Sequence, residues 1–252
     1  MRQAETYVIY GANSFIGSEL AKMMLPDVKN LVLFYHERFD RIKDLIGLDK
    51  VRVYQSDVRD YEDLVGKMKI VYSEFGIGDL GVVYLPAVRS FDSKALAETS
   101  LELSREIVEV NLMGAVHFLK AVTSPLPPPE MRGDLRIVMV GSNVSRSGLK
   151  NGSVYAATKA AVANLVKSVA MEVGDRNVLI NTVSPGPVET DGKGFSEEYI
   201  RFRKEYFETQ KALTSLNRVA TAGEVCSLIR FLTSTENNHI TGEELFVTGG
   251  AF

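Results

Sequence analysis

Tyr155 and Lys159 stand one helical turn apart in Val154-Tyr155-Ala156-Ala157-Thr158-Lys159, and Ser142 precedes the tyrosine by 13 residues. On a helix, side chains at i and i+4 project from one face. A phenol, an ammonium and a hydroxyl so arranged suit the interconversion of a carbonyl and an alcohol. Hydride reduction of a ketone needs a proton donor at oxygen, and oxidation of the alcohol needs the same group as a base. A free phenol titrates near pH ~10. An ammonium about 4 Å away, at an effective dielectric of ~20, favours its ionisation by about 4 kcal/mol. Lys159 is therefore expected to lower the Tyr155 pKa, with Ser142 holding the substrate oxygen. The hydride has to come from a redox cofactor.

A second cluster suits phosphate. An apolar run at 6–10 leads into Gly11-Ala12-Asn13-Ser14-Phe15-Ile16-Gly17 and then into a helix starting near Ser14. A strand, a glycine turn and a helix N-terminus together aim backbone N–H groups and the helix dipole at a pyrophosphate. No lysine follows in the position a P-loop requires. The next strand ends in Tyr35-His36-Glu37-Arg38, where an acidic side chain would take the 2′-hydroxyl of NAD. Counted without gaps, that position is Tyr35, whereas His36 and Arg38 offer donors and positive charge for a 2′-phosphate. NADP(H) is the preferred expectation, and Glu37 leaves NAD(H) open.

These residues need a frame. Strand patterns fall at 6–10, 30–35, 51–54, 81–85, 135–140, 177–183 and 244–247. Helical patterns fall between them at about 15–25, 39–46, 60–73, 100–122, 153–173, 196–209 and 222–233. Alternation of this kind implies right-handed crossovers and an α/β doubly wound parallel sheet. Continuous apolar runs such as Leu31-Val32-Leu33-Phe34 suit strands covered on both faces. No linker or repeat divides residues 1–252, so a single domain is expected, and Pro125-Leu126-Pro127-Pro128-Pro129 reads as an extended surface crossover.

Composition narrows the chemistry. Lys and Arg number 29 against 32 Asp and Glu, a formal charge of −3 that offers no net pull toward nucleic acid or an anionic membrane. One cysteine, Cys226, and three scattered histidines provide no metal-ligand spacing. The N-terminus has no signal-peptide core and no run of 18 apolar residues occurs, so a cytoplasmic, metal-free protein without membrane partners is expected.

Taken together, the chain resembles the short-chain dehydrogenase/reductase family, in its short single-domain Rossmann-type form. The resemblance rests on the Gly11 to Gly17 turn, Ser56-Asp57-Val58, Asn111 in Val110-Asn111-Leu112, Ser142, Tyr155 with Lys159, Ser184-Pro185-Gly186-Pro187-Val188-Glu189-Thr190, and Thr241-Gly242-Glu243 through Gly249-Gly250. It implies an NAD(P)-dependent oxidoreductase interconverting a ketone and a secondary alcohol. Tyr155 would be the general acid/base, Lys159 its partner and a ribose ligand, Ser142 the carbonyl orienter, and Asn111 the holder of a water relay. Cofactor contacts would come from Gly11, Ser14, Phe15, Ile16, Gly17, His36, Arg38, Asp57, Val58, Ala87, Tyr155, Lys159, Pro185, Gly186, Val188 and Thr190.

The chain departs from that pattern at three places. Phe15 stands at the middle glycine of GxxxGxG, Leu85-Pro86-Ala87-Val88 replaces Asn-Asn-Ala-Gly, and Thr248 replaces an aspartate. These departures keep a non-catalytic nucleotide-binding regulatory protein as the alternative, and Phe15-Ile16-Gly17 raises an extended-type epimerase as a third reading. A substrate lid is expected at about 191–217, with Phe195, Tyr199, Phe202, Tyr206 and Phe207 divided between core and pocket. Arg89 and Arg146 are candidate contacts for a polar or anionic carbonyl or alcohol substrate. The helices at 100–122 and 153–173 resemble the family's subunit interface, which implies a homodimer or homotetramer.

Overall fold

The apolar runs form seven strands: β1 Thr6–Tyr10, β2 Asn30–Tyr35, β3 Val51–Gln55, β4 Leu80–Tyr84, β5 Leu135–Val140, β6 Val178–Pro185 and β7 Glu244–Val247. The structure is a computed structural model that describes residues 1–76, 78–86, 90, 92–124, 134–191 and 197–251. The strands make one parallel sheet in the order β3-β2-β1-β4-β5-β6-β7. The order reverses between β1 and β4, and open α/β sheets bind ligands at the carboxyl ends of the strands beside such a switch.

Eight α-helices are described: α1 Phe15–Met24, α2 Tyr61–Phe75, α3 Leu101–Val108, α4 Gly114–Thr123, α5 Val144–Ser147, α6 Ser153–Val173, α7 Glu197–Ala212 and α8 Ala222–Leu232. Their starts follow from local chemistry. Ser14, Asp60 and Ser100 cap α1, α2 and α3 with side-chain oxygens, and Thr221 and Glu224 form a reciprocal capping box on α8. The alternation of β1 then divides the core. Val8 and Tyr10 face α2, α4 and α6, while Tyr7 and Ile9 face α1 and α8.

Several expected elements change, and β6 also runs two residues further, to Pro185. The helix expected at 39–46 is only a short 3-10 turn, Lys43–Leu45. The Arg41 N–H is already taken by Asn13 Oδ1, Gly47 has φ +92°, and so short a piece has little to offset helix nucleation. The long helix expected at 100–122 is interrupted between α3 and α4 by a π-helical turn, Glu109–Met113, which contains buried Asn111. The strand β4 starts and ends one residue early, although the Leu85 N–H still donates to Tyr10 O at 2.9 Å. Ala87, Arg89, the 125–129 proline cluster and Phe195 lie outside the described residues, as do the side chains of Tyr199 and Phe202. Among the described residues no helix is long and apolar enough to cross a membrane.

Candidate active site

The two glycines that remain in the first turn are both sterically required. Gly11 has φ +82°, and a Cβ there would sit 2.3 Å from Leu85 O; one on Gly17 would sit 2.4 Å from Gly11 O. Ser14 closes the turn, donating to Gly11 O at 2.8 Å and accepting from Gly17 N at 3.0 Å. The first N–H groups of α1 lack intrahelical partners by geometry and face the mouth of the sheet.

Two hollows open there. A cleft of about 450 Å³ is lined by Gly11, Asn13, Ser14, Tyr35, His36, Glu37, Arg38, Asp57, Val58 and Arg59, among others. A pocket of about 220 Å³ is lined by Ser14, Phe15, Ile16, Gly141, Tyr155, Lys159, Pro185, Val188 and Thr190 together with Leu85, Pro86 and Val140. They share Ser14, Leu85 and Pro86 as walls. Most of the expected cofactor contacts thus gather in two adjoining spaces. Gly186 lies just outside them, its N–H donating to Val247 O at 3.0 Å.

In the cleft expected to take the adenosine, ion pairs link neighbouring side chains. Asp57 faces Arg59, which holds its carboxyl near about 2, and His36 Nε2 lies 3.4 Å from the same carboxylate. Asp60, two residues past Val58, is the residue that caps α2. Arg38 makes two hydrogen bonds to Asp40 at 3.1 and 3.2 Å while lining the cleft. Asn13 and Arg59 line it as well, and sequence reasoning did not assign them a role. Arg59 sits only two residues past Asp57, the one signal that could have flagged it.

At the other end, α6 presents Tyr155 and Lys159 to the pocket, and Ser142 follows β5. The loop that carries Ser142 is held from beneath. Asn143 N–H donates to Pro185 O at 2.9 Å, and Ser145 and Ser184 hydroxyls donate to Glu244 Oε1 at 2.5 and 2.6 Å. Burial raises the Tyr155 pKa, a hydrogen bond with Ser142 pulls it partly back, and the nearby Tyr206 phenol adds to the rise. Burial also drops Lys159 to about 8. The expected lowering of Tyr155 by Lys159 is not found: desolvation sets the direction, and the lysine, its Nζ 5.5 Å from the ring centroid, is itself pushed toward its neutral form. Arg146, on α5, stacks 4.1 Å from the Phe246 centroid and lines a separate hollow of about 220 Å³ with Asn143, Ser147, Gln210, Leu213 and Ala251.

These residues fit a nicotinamide dinucleotide. Lys159 is only 2% exposed, yet it lines the pocket beside Tyr155, where its ammonium can meet a polar ligand. The two required glycines open the turn beside it. No cluster of metal-ligating side chains occurs among the described residues.

Comparison with known proteins agrees. The family model described as Enoyl-(Acyl carrier protein) reductase matches residues 11–251. Short-chain dehydrogenase reductase 3a of Arabidopsis thaliana is 27% identical over 245 residues, covering 96% of this chain and 93% of the relative. The 3-oxoacyl-(acyl-carrier-protein) reductase FabG of Vibrio cholerae is 28% identical over 253 residues, covering 99% and 98%. The solved structure described as "ElxO with NADP Bound" superposes with a TM-score of 0.84 at 25% identity, covering 98% of both chains. With a parallel sheet, a glycine turn and a Tyr–Lys pair one helical turn apart in one chain, the protein belongs to the short-chain dehydrogenase/reductase family of NAD(P)-dependent oxidoreductases.

Proposed function

We propose that this protein is an NADP(H)-preferring reductase of a carbonyl group, with Tyr155 as the proton donor at oxygen. The observation that carries the reading is the half-buried Tyr155 and the buried Lys159 lining the same pocket as Thr190 and the glycine turn, with Ser142 hydrogen-bonded to the phenol. When bound, NADPH would supply the hydride for the carbonyl carbon. Tyr155, kept protonated at neutral pH by burial, gives its proton to the carbonyl oxygen. Ser142 shares its hydrogen bond with that oxygen and directs it at the phenol. Lys159 holds ribose hydroxyls and is the nearest source from which the phenolate recovers a proton. Asn111, buried in the π turn packed against α6, holds the water that connects Lys159 to solvent.

Preference for NADP(H) is supported by His36, Arg38 and Arg59 on the adenosine cleft, and by the NADP bound to ElxO, a protein of similar fold. Relatives named as 3-oxoacyl-(acyl-carrier-protein) reductases support a carbonyl substrate. Arg146, beside the hollow at α7, favours one with a polar or anionic end. In this reading the substrate lid expected at 191–217 includes α7, with 192–196 lying outside the described residues. The half-exposed stripe Val154, Ala161, Leu165 and Ser168 on α6, with exposed Leu101 and Val108 on α3, suits a homodimer or homotetramer in the cytoplasm.

Titration of the purified chain with NADPH and NADH, followed by reduced-nicotinamide fluorescence, tests the reading; the chain has no tryptophan to interfere. Micromolar NADPH binding with much weaker NADH binding is expected. Reversed preference overturns the NADP(H) assignment, and binding of neither overturns the reductase.

A further inference from the structure

An ion pair spanning 150 positions of sequence adjoins Phe15 and Thr190, two walls of the proposed dinucleotide groove. Arg41 Nη1 and Nη2 each donate to the Asp191 carboxylate at 2.8 Å, in fork-to-fork geometry. The same guanidinium lies 5.4 Å from the centroid of Phe15, and the Arg41 backbone N–H donates to Asn13 Oδ1 at 2.8 Å. The Arg41 side chain is 16% exposed and that of Asp191 30%, so the pair is less screened than a fully solvated one. Asp191 is the main cause of a raised Arg41 pKa.

Three segments that border the groove meet in this contact. Phe15 begins α1, Arg41 follows β2, and Asp191 directly follows Thr190. Phe15 and Thr190 line the same pocket as Tyr155. The segment before Asp191 is fastened on its other side, where Val188 bridges to Ala220 and the Glu189 N–H donates to Ala220 O at 2.8 Å. Residues 188–191 are thus pinned at one end to the chain entering α8 and at the other to Arg41. The aromatic ring at position 15 occupies a place where the family pattern has glycine, and here it is the platform on which the arginine rests.

We propose that Phe15, Arg41 and Asp191 form a strap over the dinucleotide groove that positions Thr190 and slows release of the bound nucleotide. Arg41 and Asp191 act as positioning residues. The proposal rests on the dinucleotide reading of the groove given above. A phosphate ligand role for Arg41 alone would need no Asp191, and this separates the two.

The test uses the full chain, NADPH and four forms: wild type, R41A, D191N and the charge swap R41D/D191R. Stopped-flow release of NADPH is expected to accelerate about tenfold in each single variant, a loss near 1.4 kcal/mol, and to recover most of the way in the swap. Hydrogen exchange at the Glu189 amide in the nucleotide-free protein is expected to follow the same order. D191N is nearly isosteric and partly exposed, so it reports even where R41A disturbs folding. Faster release in R41A with wild-type release in D191N overturns the strap in favour of direct phosphate binding by Arg41. Unchanged release and exchange in both single variants overturn it outright. A wild type that binds no NADPH overturns the reading of the groove and the release half of the proposal, and Glu189 exchange then decides the positioning half independently.

Discussion

Tyr155 and Lys159 lie one turn apart on α6, with Lys159 Nζ 5.5 Å from the tyrosine ring centroid, and burial drives both toward their neutral forms. The phenol rises and the ammonium falls to about 8. A protonated phenol beside a lysine that is still charged at neutral pH is the state a carbonyl reductase needs before the chemical step.

Replacing Tyr155 by Phe removes the proposed proton donor and keeps the ring. The expected loss in kcat is about 10²–10⁴-fold, with NADPH affinity within about threefold of wild type. Ketone reduction and a fluorescence titration on the same preparation measure both. Retention of turnover would reassign the proton donor.

The pH profile follows from Lys159. At subsaturating NADPH, kcat/KM reports the free enzyme. It is expected to be level through neutrality and to fall as pH rises through about 8, where the ammonium loses its charge. A profile that instead rises through that range would contradict Lys159 acting in its charged form.

Lys159 also predicts a conflict between stability and function. Its pKa in the folded protein is lowered from 10.5 to about 8, so the unfolded chain binds the proton more tightly. The sign follows: the destabilisation is fully present below about 8 and is relieved as pH rises toward 10.5. In nucleotide-free protein, K159M is expected to be more stable than wild type by up to about 3 kcal/mol at pH 7, and inactive. By about pH 9.5 the gap should shrink by more than half. Urea unfolding at the two pH values measures it.

Gly11→Ala places a Cβ 2.3 Å from the Leu85 carbonyl oxygen at φ +82°. The expected cost is at least about 2 kcal/mol, with loss of NADPH binding. Gly148→Ala, which also has positive φ but meets nothing within 4 Å, separates the two contributions. It should carry the backbone strain alone, and thermal melts compare them.

Arg38→Ala tests the nucleotide preference. NADPH affinity should fall about tenfold, near 1.4 kcal/mol, while NADH affinity stays within about twofold. Equal losses for both nucleotides would place Arg38 away from the 2′-phosphate.

Much of this protein could be read along the chain, because the relevant physics is local. The burial period of Leu31-Val32-Leu33-Phe34 marks a covered strand, Ser14 marks a helix start, and the i, i+4 spacing alone puts Tyr155 and Lys159 on one face. The bonds that complete the site are not local. Asp191 meets Arg41 across 150 positions, and Glu244 reaches Ser145 and Ser184 from β7, pairings no local pattern encodes. The same holds for the sign of the Tyr155 shift. Spacing supplies the neighbouring ammonium, but the desolvation that raises the phenol exists only once α1, α6 and β6 pack around the pocket and withdraw much of the ring from water.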